Sequence, residues 1–180
     1  MRKKTALFIL ALLLTAAANL RPCCELSVDG KRLSGLYSIS CADAGECSAA
    51  AAAEEICPRE AAVPELERRY RLRLSPPGGE AGTVSDALLR AAPGVSAACA
   101  VYVDGARLGC AESGAVLAER LHGMLYEALP AGVASARLDC TLALEPLYTR
   151  TEFVSPYGEM LSRMTGAAPV IYTLDWRQML

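Results

Sequence analysis

The chain has 180 residues, 53% hydrophobic and 21% charged, which excludes an intrinsically disordered polymer and allows one or two modest cores. Lys and Arg total 18 against 20 Asp and Glu. That balance gives no global attraction for nucleic acid, so only a local patch can hold a polyanion.

Residues 1–20 read as an export signal. Arg2, Lys3 and Lys4 form a cationic start, and residues 5–18 are an uncharged, mostly apolar run too short for a comfortable membrane span. Ala16, Ala17 and Ala18 supply the small residues a signal peptidase needs. Without cleavage the same run is an N-terminal anchor, and it is the only membrane contact expected. The location implied is extracellular or in the cell envelope. Leu20 stands three residues before Cys23, as in a lipobox, but Arg21 and Pro22 fill positions where a lipobox carries small residues.

After the leader the sequence repeats with a period of about 70 to 75 residues. Leu26 to Leu33 (LSVDGKRL) recurs as Val101 to Leu108 (VYVDGARL), and Asp-Gly between alternating apolar residues predicts a hairpin in each copy. Leu26, Val28 and Leu33 oppose Ser27 and Arg32 in the first; Val101, Val103, Ala106 and Leu108 oppose Tyr102 and Arg107 in the second. A helix follows: an Ala-rich one over residues 43–56, stopped before Pro58, and one over 113–129. The latter gathers Leu117, Leu121, Met124, Leu125 and Ala128 on one stripe.

Next comes a strand. Tyr70, Leu72 and Leu74 alternate with Arg69, Arg71 and Arg73 in copy one; Leu138, Cys140, Leu142 and Leu144 alternate with polar residues in copy two. A short second helix closes each copy, over residues 84–90 with Ser85 as N-cap and Asp86 at its positive end, and over 154–161 with Ser155 as N-cap and Pro156 at the first helical position. The unit is ββαβαβ, or ββαβα with a linking strand. The fold class is therefore α+β, two tandem ββαβα(β) modules over residues 21–94 and 95–180, with antiparallel or mixed sheets and helices on one face.

Eight cysteines in an exported chain suggest disulfides. Counting outward from the Asp104-Gly105 turn puts Cys99 opposite Cys110, at a cross-strand Cα separation of about 5.5 Å. Cys23, Cys24, Cys41, Cys47, Cys57 and Cys140 cannot be paired from the sequence. No C-x-x-C spacing occurs and no histidine lies near a cysteine, so neither a metal nor a cofactor is expected.

The order VYVDG-x-x-LG, amphipathic helix, alternating strand, a Val-Ser word opening a short helix, then PVIYT resembles the N-terminal, non-catalytic region of bacterial cell-wall proteins. In those proteins it precedes a LysM domain or a lysostaphin-type zinc endopeptidase. The likeness is carried by Val101 to Gly109, Thr151 to Leu161 and Pro169 to Thr173, and in copy one by Leu26 to Leu33 and Val84 to Leu89. It implies association with peptidoglycan or with enzymes that remodel it. Such a zinc site needs several His or Asp ligands and a further catalytic His, and His122 is the only histidine. The chain is therefore expected to be a non-catalytic spacer, scaffold or recognition arm.

Two surfaces suit binding. Lys31, Arg32, Arg69, Arg71 and Arg73, beside Arg68, offer a basic patch for anionic wall polymers or lipid headgroups, although alternating arginines also guard a strand edge against aggregation. Ile171, Tyr172, Leu174 and Trp176 offer a docking edge, which the longer relatives would cover with the next domain. A docking regulator or inhibitor of a separate wall hydrolase is the first alternative. A small exported hydrolase using paired carboxylates among Glu54, Glu55, Glu145, Glu152 and Glu159 is the second. Pro76-Pro77-Gly78-Gly79 lacks the Lys-Ser/Thr of a phosphate loop and reads as a connection.

Overall fold

The structure, a computed structural model, describes residues 14–15, 19–58, 62–127, 129–130 and 133–174. Most of the expected leader, Ala128 and Trp176 lie outside them. The chain is α+β and divides into two compact units, Met1–Pro93 and Gly94–Leu180.

In the first unit β1 (Arg21–Val28) is the middle strand. One edge pairs with two short pieces, β2 (Lys31–Arg32) and β3 (Tyr37–Ser38), and the other with β4 (Leu66–Arg73), all antiparallel. Asp29 and Gly30, at φ 47° and 72°, build the left-handed turn that Asp-Gly favours. Between β3 and β4 runs α1 (Ile39–Ile56), which begins four residues before the expected start because the Ser38 hydroxyl accepts from the Cys41 N–H at 3.1 Å. Its buried face is small: Ala42, Gly45, Ala49 and Ala53. It packs on α2 (Ala81–Ala91), whose buried residues are Val84, Ser85, Leu88 and Leu89. Ser85 is thus an interior residue and not the N-cap. Asp86 sits in mid-helix, bonded to Arg90 at 2.8 Å, while Glu80 holds the cap position without a side-chain bond.

One expectation for this unit is overturned. Tyr70, Leu72 and Leu74 do not form the buried face of β4; they are 62%, 65% and 63% exposed, and only Leu66 of that face is buried. The reason lies in α1. A face of alanine and glycine draws the two helices together over β1 and β3, and no large apolar side chain from α1 is buried over β4.

The second unit opens with β5 (Val95–Val103) and β6 (Ala106–Ala111), joined by Asp104 and Gly105 at φ 50° and 80°. Then follow α3 (Gly114–Glu127), β7 (Val133–Leu138), β8 (Leu142–Arg150), a single 3-10 turn at Thr151–Phe153, α4 (Tyr157–Ala167) and β9 (Val170–Leu174). The sheet order is β6-β5-β8, with β7 and β9 as a separate antiparallel ribbon. Val101, Ala111, Leu117, Leu121, Met160 and Met164 form the core, and Leu108, Leu138, Leu142 and Leu144 pack against it.

The single alternating strand expected through Leu138 and Leu144 is broken in two. Asp104 takes the Thr141 N–H on its carboxylate at 2.8 Å while its own N–H reaches the Thr141 carbonyl, which pins a bend at residues 139–140. In α4 the cap position belongs to Pro156 and carries no side-chain bond, so Ser155 is not the N-cap. The Ser155 N–H goes instead to the Cys110 carbonyl.

Cys99 and Cys110 are not opposite each other. A bulge at Val101 and Tyr102 pairs Cys99 with Ala111 and Cys110 with Ala100, so the two thiols leave opposite faces of the sheet. Leu108 is the extra residue; its carbonyl accepts from Arg163 at 3.1 Å, and Gly109 beside it adopts φ 155°. All eight cysteines are free thiols, contrary to the expected disulfides.

Candidate functional site

The register of β1 with its neighbours decides which charged side chains meet. Arg21 faces Arg73, Cys23 faces Arg71, Glu25 faces Arg69 and Ser27 faces Glu67, while Ser27 on its other side faces Arg32. Alternation sends Cys24, Leu26 and Val28 towards the helices and this second set to the opposite face, where Cys23 is itself buried with its thiol against the Arg71 carbonyl. Arg21, Arg32, Arg69, Arg71 and Arg73 therefore share one face, on which the carboxylates among the paired strand residues are Glu25 and Glu67.

Glu25 is the anchor of that face. Its side chain is 14% exposed, sits 2.8 Å from the Arg32 guanidinium and 3.6 Å from that of Arg71. Glu67 is engaged by the Ser27 hydroxyl at 2.8 Å. Among the described residues no carboxylate lies within ion-pair distance of Arg21, Arg69 or Arg73. An open depression of about 340 Å³ lies here, lined in part by Glu25, Ser27, Arg32, Glu67 and Arg69. Arginines two residues apart on one strand recur every ~6.5 to 7 Å. Such a row suits a polymer with repeated anionic groups better than one small ion, and binding would relieve the repulsion along it.

The structure thus gathers Arg32, Arg69, Arg71 and Arg73 of the expected patch and separates Lys31 from them. Lys31 pairs with Val28 on the other face and borders a different depression, near Ala87 and Arg90. Arg68 also leaves the group. It turns to the helix side and is bonded to both Asp43 and Glu46 of α1, an arrangement in which the Asp43 bond above all holds its guanidinium in the charged state. Arg21 was missed because it was read as the residue after a leader. Extending the β1–β4 alternation backwards is the signal that finds it.

The second expected surface is divided. Ile171 and Tyr172 are exposed on β9, but neighbours in a strand point to opposite faces, and they pair with Arg137 and Ala136 respectively. Leu174 lies at the end of β9 opposite Val133, and Trp176 is outside the described residues.

The candidate catalytic groups are exposed, and two of them are held in ion pairs. His122 is exposed on α3 with its ring 4.3 Å from that of Tyr126. Glu152 is bonded to Arg150 and Glu159 to Arg163, while Glu54, Glu55 and Glu145 are exposed. Among the described residues no group of three His, Cys, Asp or Glu side chains is placed to hold a metal ion, and no helix is long and apolar enough to cross a membrane.

Compared with family models, curated proteins and solved structures, the chain finds no match.

Proposed function

We propose that the chain is a non-catalytic module of the cell envelope, exported by its N-terminal segment, whose first unit offers a cationic sheet face to an anionic polymer of the wall. The observation that carries this reading is the register that sets Arg21, Arg32, Arg69, Arg71 and Arg73 against Glu25 and Glu67 on one open face. The leader and the resemblance to the non-catalytic region of wall proteins support the location, and a row of surplus charge supports a polymeric ligand. In this role the second unit is a spacer or recognition arm.

The test is sedimentation with lipid-free insoluble peptidoglycan, with and without its anionic polymers, at low and high salt. Pelleting that needs the anionic polymers and weakens in high salt is the expected result. Pelleting indifferent to both would shift the ligand to the peptidoglycan itself. No pelleting would remove wall binding.

A second reading, docking to a separate wall hydrolase, is favoured by β9, which presents Ile171 and Tyr172 and among the described residues pairs with β7 alone. Capture of a purified wall hydrolase by the chain, lost on Tyr172→Ala, is its expected sign.

A further inference from the structure

The tip of the β1–β4 ribbon has two unlike faces. Pairing of β1 with β4 continues to Arg21 and Arg73, whereas on its other edge β1 is unpaired beyond Cys23 and Ser38. The tip is therefore two strands wide. The helix layer does not shield it: α1 starts after Ser38, level with Cys23, and runs towards Leu26, where Arg68 meets Asp43 and Glu46. On the helix side of the tip stand Pro22, Tyr70 and Leu72, with Leu20 and Leu74 next in the alternation, and all of them are exposed. On the reverse stand Arg21, Arg71 and Arg73.

We propose that this tip is a peripheral membrane contact, in which Leu20, Tyr70, Leu72 and Leu74 enter the headgroup boundary of an anionic bilayer while Arg21, Arg71 and Arg73 hold lipid phosphates. A wall polysaccharide answers the guanidinium groups but gives the leucines nothing apolar to bury in; an anionic bilayer answers both. Arginine stems are long enough to reach phosphate level from the reverse face of a thin ribbon. Chain continuity points the same way. The apolar run at residues 5–18 ends two residues before Arg21, and an extended residue spans only ~3.4 Å. Whenever that run enters a bilayer, the tip is held at its surface. Edge-to-edge pairing of β4 with a second copy fits less well, because it sets Arg69, Arg71 and Arg73 beside their own counterparts.

The inference rests on the proposed envelope location and adds lipid phosphate at the tip as a second anionic surface, beside the wall polymer that the face as a whole meets. Its test uses the processed chain, residues 19–180, which keeps every described core residue and lacks the leader's own lipid affinity. That chain is sedimented with phosphatidylcholine vesicles, with and without phosphatidylglycerol, beside the double variant Leu72→Glu, Leu74→Glu. Both side chains are exposed, so the variant keeps its fold, checked by circular dichroism. Binding to the phosphatidylglycerol vesicles, weakened at least about tenfold in the variant, is expected. Absence of vesicle binding, or binding that the variant retains, overturns the inference, as does a solution dimer that the variant disrupts without any vesicle binding. Walls pelleted without vesicles pelleted would leave the wall-polymer reading standing and remove this one. Failure with both would remove both.

Discussion

Buried thiols are expected to make the fold lose stability in alkali. Burial pushes the Cys24 thiol up, with Arg68 opposing, and burial followed by the neighbouring Cys110 pushes up that of Cys99; burial also raises the Tyr37 hydroxyl. In the unfolded chain these thiols ionise near their ordinary value of about 8.5. Above it the unfolded state has lost protons that the folded state still holds, so stability is fully present below about 8.5 and falls as pH rises towards the folded values. Urea midpoints measured along an alkaline series are expected to decline from about that pH, with a shallower slope for Cys99→Ala. A flat profile would contradict the burial. The same thiols make a labelling prediction: an alkylating reagent applied to the native chain modifies exposed Cys47 first and reaches Cys23, Cys24, Cys57, Cys99 and Cys110 only on unfolding. Modification of a buried thiol as fast as Cys47 would contradict it.

At the scale of elements, the two helices of the first unit depend on an absent side chain. A Cβ added at Gly45 would lie 2.6 Å from the Val84 Cβ and 2.7 Å from the Ala81 carbonyl oxygen. Gly45→Ala is therefore expected to force α1 and α2 apart and to lower unfolding stability by about 1 to 3 kcal/mol, against the gain that alanine brings to an open helix position. A variant as stable as the parent would show that the contact is loose. Which elements were legible follows from the same local logic. Both hairpins could be read, because Asp-Gly supplies the two left-handed residues a tight turn needs, and so could the helices, from their apolar spacing or alanine content. The bulge beside Gly109 could not, since its extra residue is held by Arg163 from a helix about 55 positions later in the chain, and that one slip undid the Cys99 to Cys110 pairing. The bend between β7 and β8 was hidden for a like reason: Asp104, in the hairpin turn, makes it.

Across the whole molecule, each unit contains in order a hairpin, a helix, a strand antiparallel to its first strand and a second helix, with β3 inserted in the first unit and β7 in the second. Against this common order one difference matters. Leu66 pairs with Val28 as Leu142 pairs with Val103, so Arg68 holds in the first unit the register position that Leu144 holds in the second. Leu144 packs on a core that α3 fills with Leu117 and Leu121; Arg68 meets the carboxylates of an Ala-rich helix. The alternation of β4 showed its two faces but not which of them the helices would cover, because coverage is decided by the width of a helix layer elsewhere in the chain. The arginine face was legible as residue types and incomplete as a site, since Arg21 and Glu25 join it, and Lys31 leaves it, only through strand register.

The most direct test of the account compares the parent chain with Arg69→Ala, Arg71→Ala, Arg73→Ala for sedimentation with lipid-free walls that retain their anionic polymers. All three side chains are exposed, so the fold is expected to persist, and Arg137→Ala, an exposed arginine of the second unit, is the control. The account predicts that the parent and the control pellet at low salt while the triple variant stays in solution. A triple variant that pellets as well as the parent would contradict it.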